Sequence, residues 1–289
     1  MDDPWILQGR AISFKDIDCI RRLIAENPLL RRTRLSQEIC RLWNWKNSQG
    51  QIKDMACRTL LLKLEKKGLV ALPPRAWAQR PRLNKPKIYQ PHSKEPIDSD
   101  LRCLQPIKIT NIKKGCEYQD VFACLLDEYH YLGYKTSVGE NMKYLVFDNR
   151  QRMLACVLFG SAAWKTTPRD IFIGWSDESR QRGVNFITNN TRFLILPWVR
   201  VPHLASHILS LICKRIVNDW VQKYNHPVFA LETFVDSARF RGTCYKAANW
   251  VNLGQTKGRT RQDRFHKIQA SIKDVYFYAL KSDFRKDLV

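Results

Sequence analysis

The sequence predicts a mixed α/β (α+β) protein in three parts: a winged helix-turn-helix over residues 1–72, a basic proline-rich linker over 73–106, and a mixed-sheet domain over 107–289. Three observations predict it. Three short stretches of helical apolar periodicity and one short apolar strand fill about sixty residues near the N-terminus. Prolines then alternate with cations. Beyond residue 107, strand patterns and helix patterns alternate, as in a helix-covered sheet.

The elements follow in order. Ser13 caps a helix carrying Ile17, Ile20, Leu23 and Ile24, which ends before Asn27-Pro28. A second helix starts near Ser36 and carries Cys40, Leu42 and Trp43. A third runs from about Ile52 to Lys67, and Leu69–Leu72 follow Gly68 as a short strand. In the third helix Cys57, Leu60 and Leu64 share one face, with Arg58, Thr59, Leu62 and Lys66 opposite. That makes Arg58, Thr59 and Lys66 the candidate DNA-contacting side chains of a reading helix, or else a solvated basic face. In the linker, Arg80 and Arg82 are candidates to track phosphates along an extended chain, and a plain tether fits the same composition.

The third part reads as a helix over 117–129 leading to His130-Tyr131-Leu132-Gly133, then strands over 143–148 and 153–160. Residues 164–174 are irregular, 191–201 a strand and 203–224 an amphipathic helix. A buried strand over 228–235, a short helix over 242–249 and strands over 251–254 and 275–280 complete one mixed sheet.

Charge points to the partner. Of 289 residues, 49 are Lys or Arg and 27 Asp or Glu, a net +22. The excess is spread: 14 basic against 8 acidic over residues 1–72, 10 against 5 over 73–120, and 25 against 14 over 121–289. A charge carried by all three parts predicts an extended footprint on nucleic acid, driven by counterion release. The apolar runs are far shorter than the roughly 20 residues a bilayer requires. The start, Met-Asp-Asp-Pro-Trp, lacks a signal-peptide pattern. Nine cysteines without a C-x-x-C spacing read as free thiols of a cytoplasmic protein.

Two stretches carry a resemblance. Arg200-Val-Pro-His203-Leu-Ala205 and Tyr245-Lys-Ala-Ala-Asn249-Trp250, with the element order over 191–254, resemble the core of the GNAT N-acetyltransferase fold. Gly242 to Thr256 is similar to phage Mom-type DNA-modification proteins of that fold. Lys53-Asp-Met-Ala-Cys-Arg58, His130-Tyr-Leu-Gly133, Ser161-Ala-Ala-Trp-Lys165, Asn189 to Val199 and Leu231-Glu-Thr-Phe-Val-Asp236 resemble the Druantia anti-phage protein A (DruA-like) family. The resemblance implies phage defence or a related mobile-element role and supplies no reaction; DNA is the expected partner, with other defence-system subunits and self-association as further options.

Candidate chemistry follows. Arg200, His203 and Ala205 stand where the GNAT pyrophosphate turn would be, but His203 replaces a glycine, which puts acyl-CoA in doubt. A cofactor, a DNA phosphate and a structural turn all fit that sequence. Tyr245 stands at the position of a general acid. Glu232 and Asp236, with His130, form a candidate carboxylate set for base modification or for a divalent metal, with Arg192 beside them; an internal ion pair with Arg192 or Arg239 is the plainer reading. Lys165, Arg239, Trp250, Arg259, Arg261 and Arg264 are candidate nucleic-acid contacts, Trp250 by stacking on bases. Glu232, Asp236, His130 and Tyr245 are expected to meet in one cleft. A DNA-acting enzyme, whether base modifier or metal-dependent nuclease, and a non-catalytic recognition subunit are the two function classes.

Overall fold

Ser13 opens the first helix as expected. Its Oγ accepts the Asp16 N–H while Asp16 returns a bond to the Ser13 N–H, a capping box. The structure, a computed structural model, describes residues 5–8, 10–46, 50–74, 89–113, 115–134, 137–258 and 271–289. The chain divides into two units, Met1–Lys85 and Pro86–Val289.

The first unit holds an antiparallel hairpin of β1 (Trp5–Leu7) and β2 (Arg10–Ile12), then α1 (Phe14–Glu26), α2 (Arg32–Leu42) and α3 (Asp54–Lys66). Its core is Ile12, Ile17, Ile20, Leu35, Ile39, Cys40, Trp45, Cys57, Leu60, Leu61, Leu64 and Val70. The apolar face expected of the third helix is therefore the buried one. Two expectations are corrected. The second helix starts four residues before Ser36, because Arg32 is tied to Glu65 (3.0 Å) and to the Pro73 carbonyl (2.6 Å). The strand expected over 69–72 is absent: the Gly68 and Leu69 N–H groups bond back to Glu65 and Leu64, closing α3, and Val70 drops into the core. A winged helix remains the expectation for this unit, with the hairpin preceding the helices as an element the sequence reading lacked.

The second unit is built on a seven-stranded sheet. In chain order its elements are β3 (Ile97–Asp98), α4 (Leu101–Leu104), β4 (Lys108–Asn111), α5 (Tyr118–Tyr129), β5 (Met142–Phe147), β6 (Met153–Ser161), α6 (Thr167–Ile173) and α7 (Asp177–Gly183). Then come β7 (Ile187–Ile195), β8 (Val199–Arg200), α8 (Leu204–Tyr224), β9 (Ala230–Asp236), α9 (Thr243–Ala247), β10 (Val251–Gln255), β11 (Lys273–Ala279) and α10 (Phe284–Leu288). The strand order is β10-β11-β9-β7-β6-β5-β4, antiparallel throughout except for the parallel pair β7–β9. The run β7, α8, β9, α9, β10 is the order expected over 191–254. Ile208, Leu209, Ile212, Ile216 and Trp220 of α8 join Phe122, Leu125 and Leu126 of α5 and the inner sheet residues in one core.

Three boundaries differ from expectation. The linker does not reach 106: Ile97 is buried, β3 pairs in parallel with β8, and Leu104 enters the core. Residues 164–174 are not irregular, since Thr166 and Pro168 start α6, which ends at Gly174 in the left-handed conformation. The strand expected over 191–201 begins at Ile187 and breaks after Ile195, leaving β8 to pair elsewhere.

Candidate functional site

The parallel pair at the centre of the sheet is short. Ile187, Thr188 and Asn189 pair with Ala230, Leu231 and Glu232, and beyond them β7 and β9 diverge. A parallel ladder that stops after three pairs leaves the following residues of both strands facing a gap. That gap is a cleft of about 550 Å³. Residues 190–195 of β7 form one wall and 233–236 of β9 the other; Tyr129 to Leu132 and Phe240 to Tyr245 close its ends, with Lys273 at the edge.

Arg192 defines its electrostatics. The guanidinium is half-buried; Nε donates to the Gly133 carbonyl (3.0 Å) and Nη1 to the Thr191 carbonyl (2.7 Å). It has no acidic partner among the described residues, and burial pulls its pKa below the ordinary value. Arg241 and Lys273 also line the cleft, and among the described lining residues Asp236 is the one carboxylate. Asp236 is mostly buried and accepts the Ala238 N–H at 3.2 Å.

His130 leaves α5 as its C-cap. Its Nδ1 accepts the Leu132 N–H (3.2 Å), which puts the proton of the neutral ring on Nε2. Burial, reinforced by the Arg192 charge, pushes its pKa down to about 4. At neutral pH the ring is therefore neutral, with its Nδ1 lone pair engaged by the Leu132 N–H and Nε2 as the donor. The ring lies 4.9 Å from Tyr131, which in turn lies 5.4 Å from Phe240, with Arg239 over the Tyr131 face at 5.1 Å.

Tyr245 also lines the cleft, but its hydroxyl donates to Asn190 Oδ1 (2.7 Å), and burial raises its pKa. The Asn190 amide in turn donates to the Leu158 and Arg192 carbonyls (3.1 and 3.0 Å). The phenol proton is thus engaged by the Asn190 side chain.

Glu232 does not join the others. It is fully buried; Oε1 accepts the Ala163 N–H (2.6 Å) and Oε2 accepts Arg169 (2.8 Å), itself fully buried and bonded to Asp170. The expected meeting of four groups is therefore corrected to three, His130, Asp236 and Tyr245, with Arg192 among them. An internal ion pair does hold Glu232, with Arg169 in place of Arg192 or Arg239. Among the described residues no three His, Cys, Asp or Glu side chains gather as metal ligands.

The remaining candidates divide. Arg200, His203 and Ala205 lie outside the cleft lining. His203 caps α8 with φ 64°, a left-handed conformation that favours glycine, and its side chain is exposed. Trp250 is buried against Tyr245 (5.1 Å) and Tyr278 (5.8 Å), so stacking on bases is corrected to a core role. Lys165 is exposed and 3.6 Å from Asp177. Arg239 stands exposed on the cleft rim. In the first unit Arg58 is paired with Asp54 (2.7 Å), Thr59 donates to the Met55 carbonyl (3.0 Å), and Lys66 is exposed. Arg80, Arg82, Arg259, Arg261 and Arg264 lie outside the described residues. Sequence reasoning missed Asn190, Tyr131, Arg241 and Lys273; the one signal for Asn190 was an amide pair, Asn189-Asn190, inside a strand. None of the described helices is long and apolar enough to cross a membrane.

Comparison with known proteins adds the following. Residues 63–285 match the family described as Druantia protein DruA. No curated protein matches the chain in sequence. Among solved structures, spermidine N-acetyltransferase from Vibrio cholerae, in complex with CoA and spermine, is similar at 8% identity over 60% of this chain and 95% of that one, TM-score 0.39. An N-acetyltransferase from Staphylococcus aureus Mu50 is similar at 12% identity over 60% and 97%, TM-score 0.34. Scores this low transfer neither ligand nor activity.

Proposed function

The chain belongs to the Druantia protein DruA family, and from that premise we propose that it is a DNA-binding component of anti-phage defence whose second unit receives a DNA strand in the cleft between β7 and β9. The observation that carries this reading is Arg192, a half-buried guanidinium without an acidic partner among the described residues. A cation held partly out of water costs free energy unless an anion meets it. With Arg241 and Lys273 beside it and a chain of net +22, the anion that fits is a phosphate of a polyanion. Recognition is favoured over chemistry because the groups expected to react are engaged: Glu232 by Arg169, Tyr245 by Asn190, and His130 as a neutral donor. Other defence-system subunits would then act on the DNA that this chain holds.

The test is binding of the full chain to labelled DNA across salt. Affinity should fall by about 10³-fold or more between 50 and 200 mM salt if six or more phosphates are contacted. Arg192→Met should weaken binding and lower the salt slope by about one. Tight binding that ignores salt, or an unchanged slope in Arg192→Met, overturns the reading. A second reading, modification of a base, is favoured by Asp236 alone, the lining carboxylate; Asp236→Asn would then abolish a mass change in DNA recovered from cells while binding persists.

A further inference from the structure

Two aromatic rings at the cleft, beside its cations, face solvent. Tyr131 is 39% and Phe240 48% exposed, and their rings stand 5.4 Å apart at 55°. Large aromatics left in water cost free energy, and these two line the same cleft as Arg192, whose guanidinium meets backbone carbonyls but no carboxylate among the described residues. A ligand satisfying both has a flat π-face and an anion a short distance apart. That is the chemistry of a nucleotide. Resting on the proposed DNA-binding role, we propose that the cleft captures one unpaired nucleotide of a DNA strand, its base against Tyr131 and Phe240 and its phosphate on Arg192.

Size supports a single unpaired unit. A volume of about 550 Å³ is that of a small-ligand pocket, so a nucleotide enters only when it is out of the base stack. The cations beyond the cleft support a strand in place of a free nucleotide: Arg239 and Arg241 are exposed on the segment after β9, where they reach the phosphates on either side. Arg239 already lies 5.1 Å over the Tyr131 ring, a cation–π contact that holds the ring in place at the cleft. The His130 Nε2–H and the Tyr131 hydroxyl are the polar groups near the base edge. They bond to acceptors that all four bases carry, so capture depends on a base being free and not on which base it is.

The experiment uses the full chain and four probes: a single strand, a strand of the same length that is abasic at every position, a perfect duplex of the first sequence, and deoxynucleoside monophosphate alone. Stacking contributes about 1–3 kcal/mol per base, so Tyr131→Ala should lower single-strand affinity about 5- to 150-fold while duplex affinity changes less than twofold. The abasic strand should bind wild type about as weakly as the intact strand binds Tyr131→Ala, and the monophosphate should not compete at micromolar concentration. Phe240→Ala, at an exposed position that folding tolerates, should repeat the Tyr131→Ala result. Equal losses on single strand and duplex, or an abasic strand that binds as tightly as the intact one, overturn the inference while leaving Arg192-dependent DNA binding in place. Competition by the free monophosphate at micromolar concentration overturns the strand-borne ligand. Absence of binding to any DNA refutes the proposed function itself.

Discussion

Removing Arg169 tests whether Glu232 is a structural or a reacting group. Its guanidinium donates to the Ala163 carbonyl (2.7 Å), to Glu232 Oε2 (2.8 Å), and twice to Asp170 Oδ1 (2.9 and 2.7 Å), all inside the second unit. Arg169→Met leaves Glu232 with the Ala163 N–H as its remaining partner, and burial already pushes that carboxyl above its ordinary range. Breaking one side of a buried pair costs about 3–5 kcal/mol. In a unit of roughly 200 residues each kcal/mol moves Tm by about 2–4 °C, so the transition should fall by about 6–20 °C. Glu232→Gln is milder, because Asp170 still neutralises Arg169; losing one bond to a charged group costs about 1.5–3 kcal/mol, or about 3–12 °C. In Arg169→Met/Glu232→Gln both charges leave together, and the double-mutant cycle should return a coupling above about 1 kcal/mol. Scanning calorimetry of the full chain reads all three, with DNA affinity measured at 20 °C beside it. If Glu232→Gln kept its Tm and lost function instead, Glu232 would be a reacting group and its placement with Arg169 would be irrelevant to its role.

Other perturbations separate the remaining claims. His130 has a folded pKa near 4, below its ordinary 6.5, so protonation favours the unfolded chain; its contribution is whole above pH 6.5 and is lost as pH falls toward 4. His130→Asn should flatten that acid limb in a pH series of melts. A Cβ at Gly242 would collide with the Tyr276 hydroxyl, and φ is +66°, so Gly242→Ala should destabilise by more than about 1 kcal/mol on either count and lower the calorimetric transition. If α3 reads DNA, Lys66→Ala should weaken duplex binding more than Arg58→Ala, since Arg58 is held by Asp54 and Lys66 is not; equal effects in a binding titration would place the contacts elsewhere.

The order of elements was legible because periodicity reports burial. Cys57, Leu60 and Leu64 lie on the buried side of α3, and the run from β7 to β10 follows its apolar pattern. The cleft was legible in part. His130, Arg192, Asp236 and Tyr245 were singled out and do line it, yet their roles were not readable from position along the chain. Glu232 shares a strand with Asp236, but its partner Arg169 is 63 residues away, in a segment whose mix of Thr, Pro and Arg hid a helix. Trp250 had a basic run after it and suggested stacking, whereas its burial follows from Tyr245 and Tyr278 closing over it in three dimensions. Long-range pairing decides such cases, and one sequence carries no record of it.

The early end of the β7–β9 ladder has a consequence for association. Each half-sheet finishes in a row of main-chain N–H and C=O groups, a surface that in most folds invites another copy to add on. Here both rows face inward across the same narrow space, so a second folded sheet cannot dock on either. The break at the centre of the sheet therefore shields these strand edges from pairing with another copy, and side chains take part of the row for themselves: the Asn190 carbonyl accepts the Thr233 hydroxyl and the Arg192 carbonyl accepts the Asn190 amide.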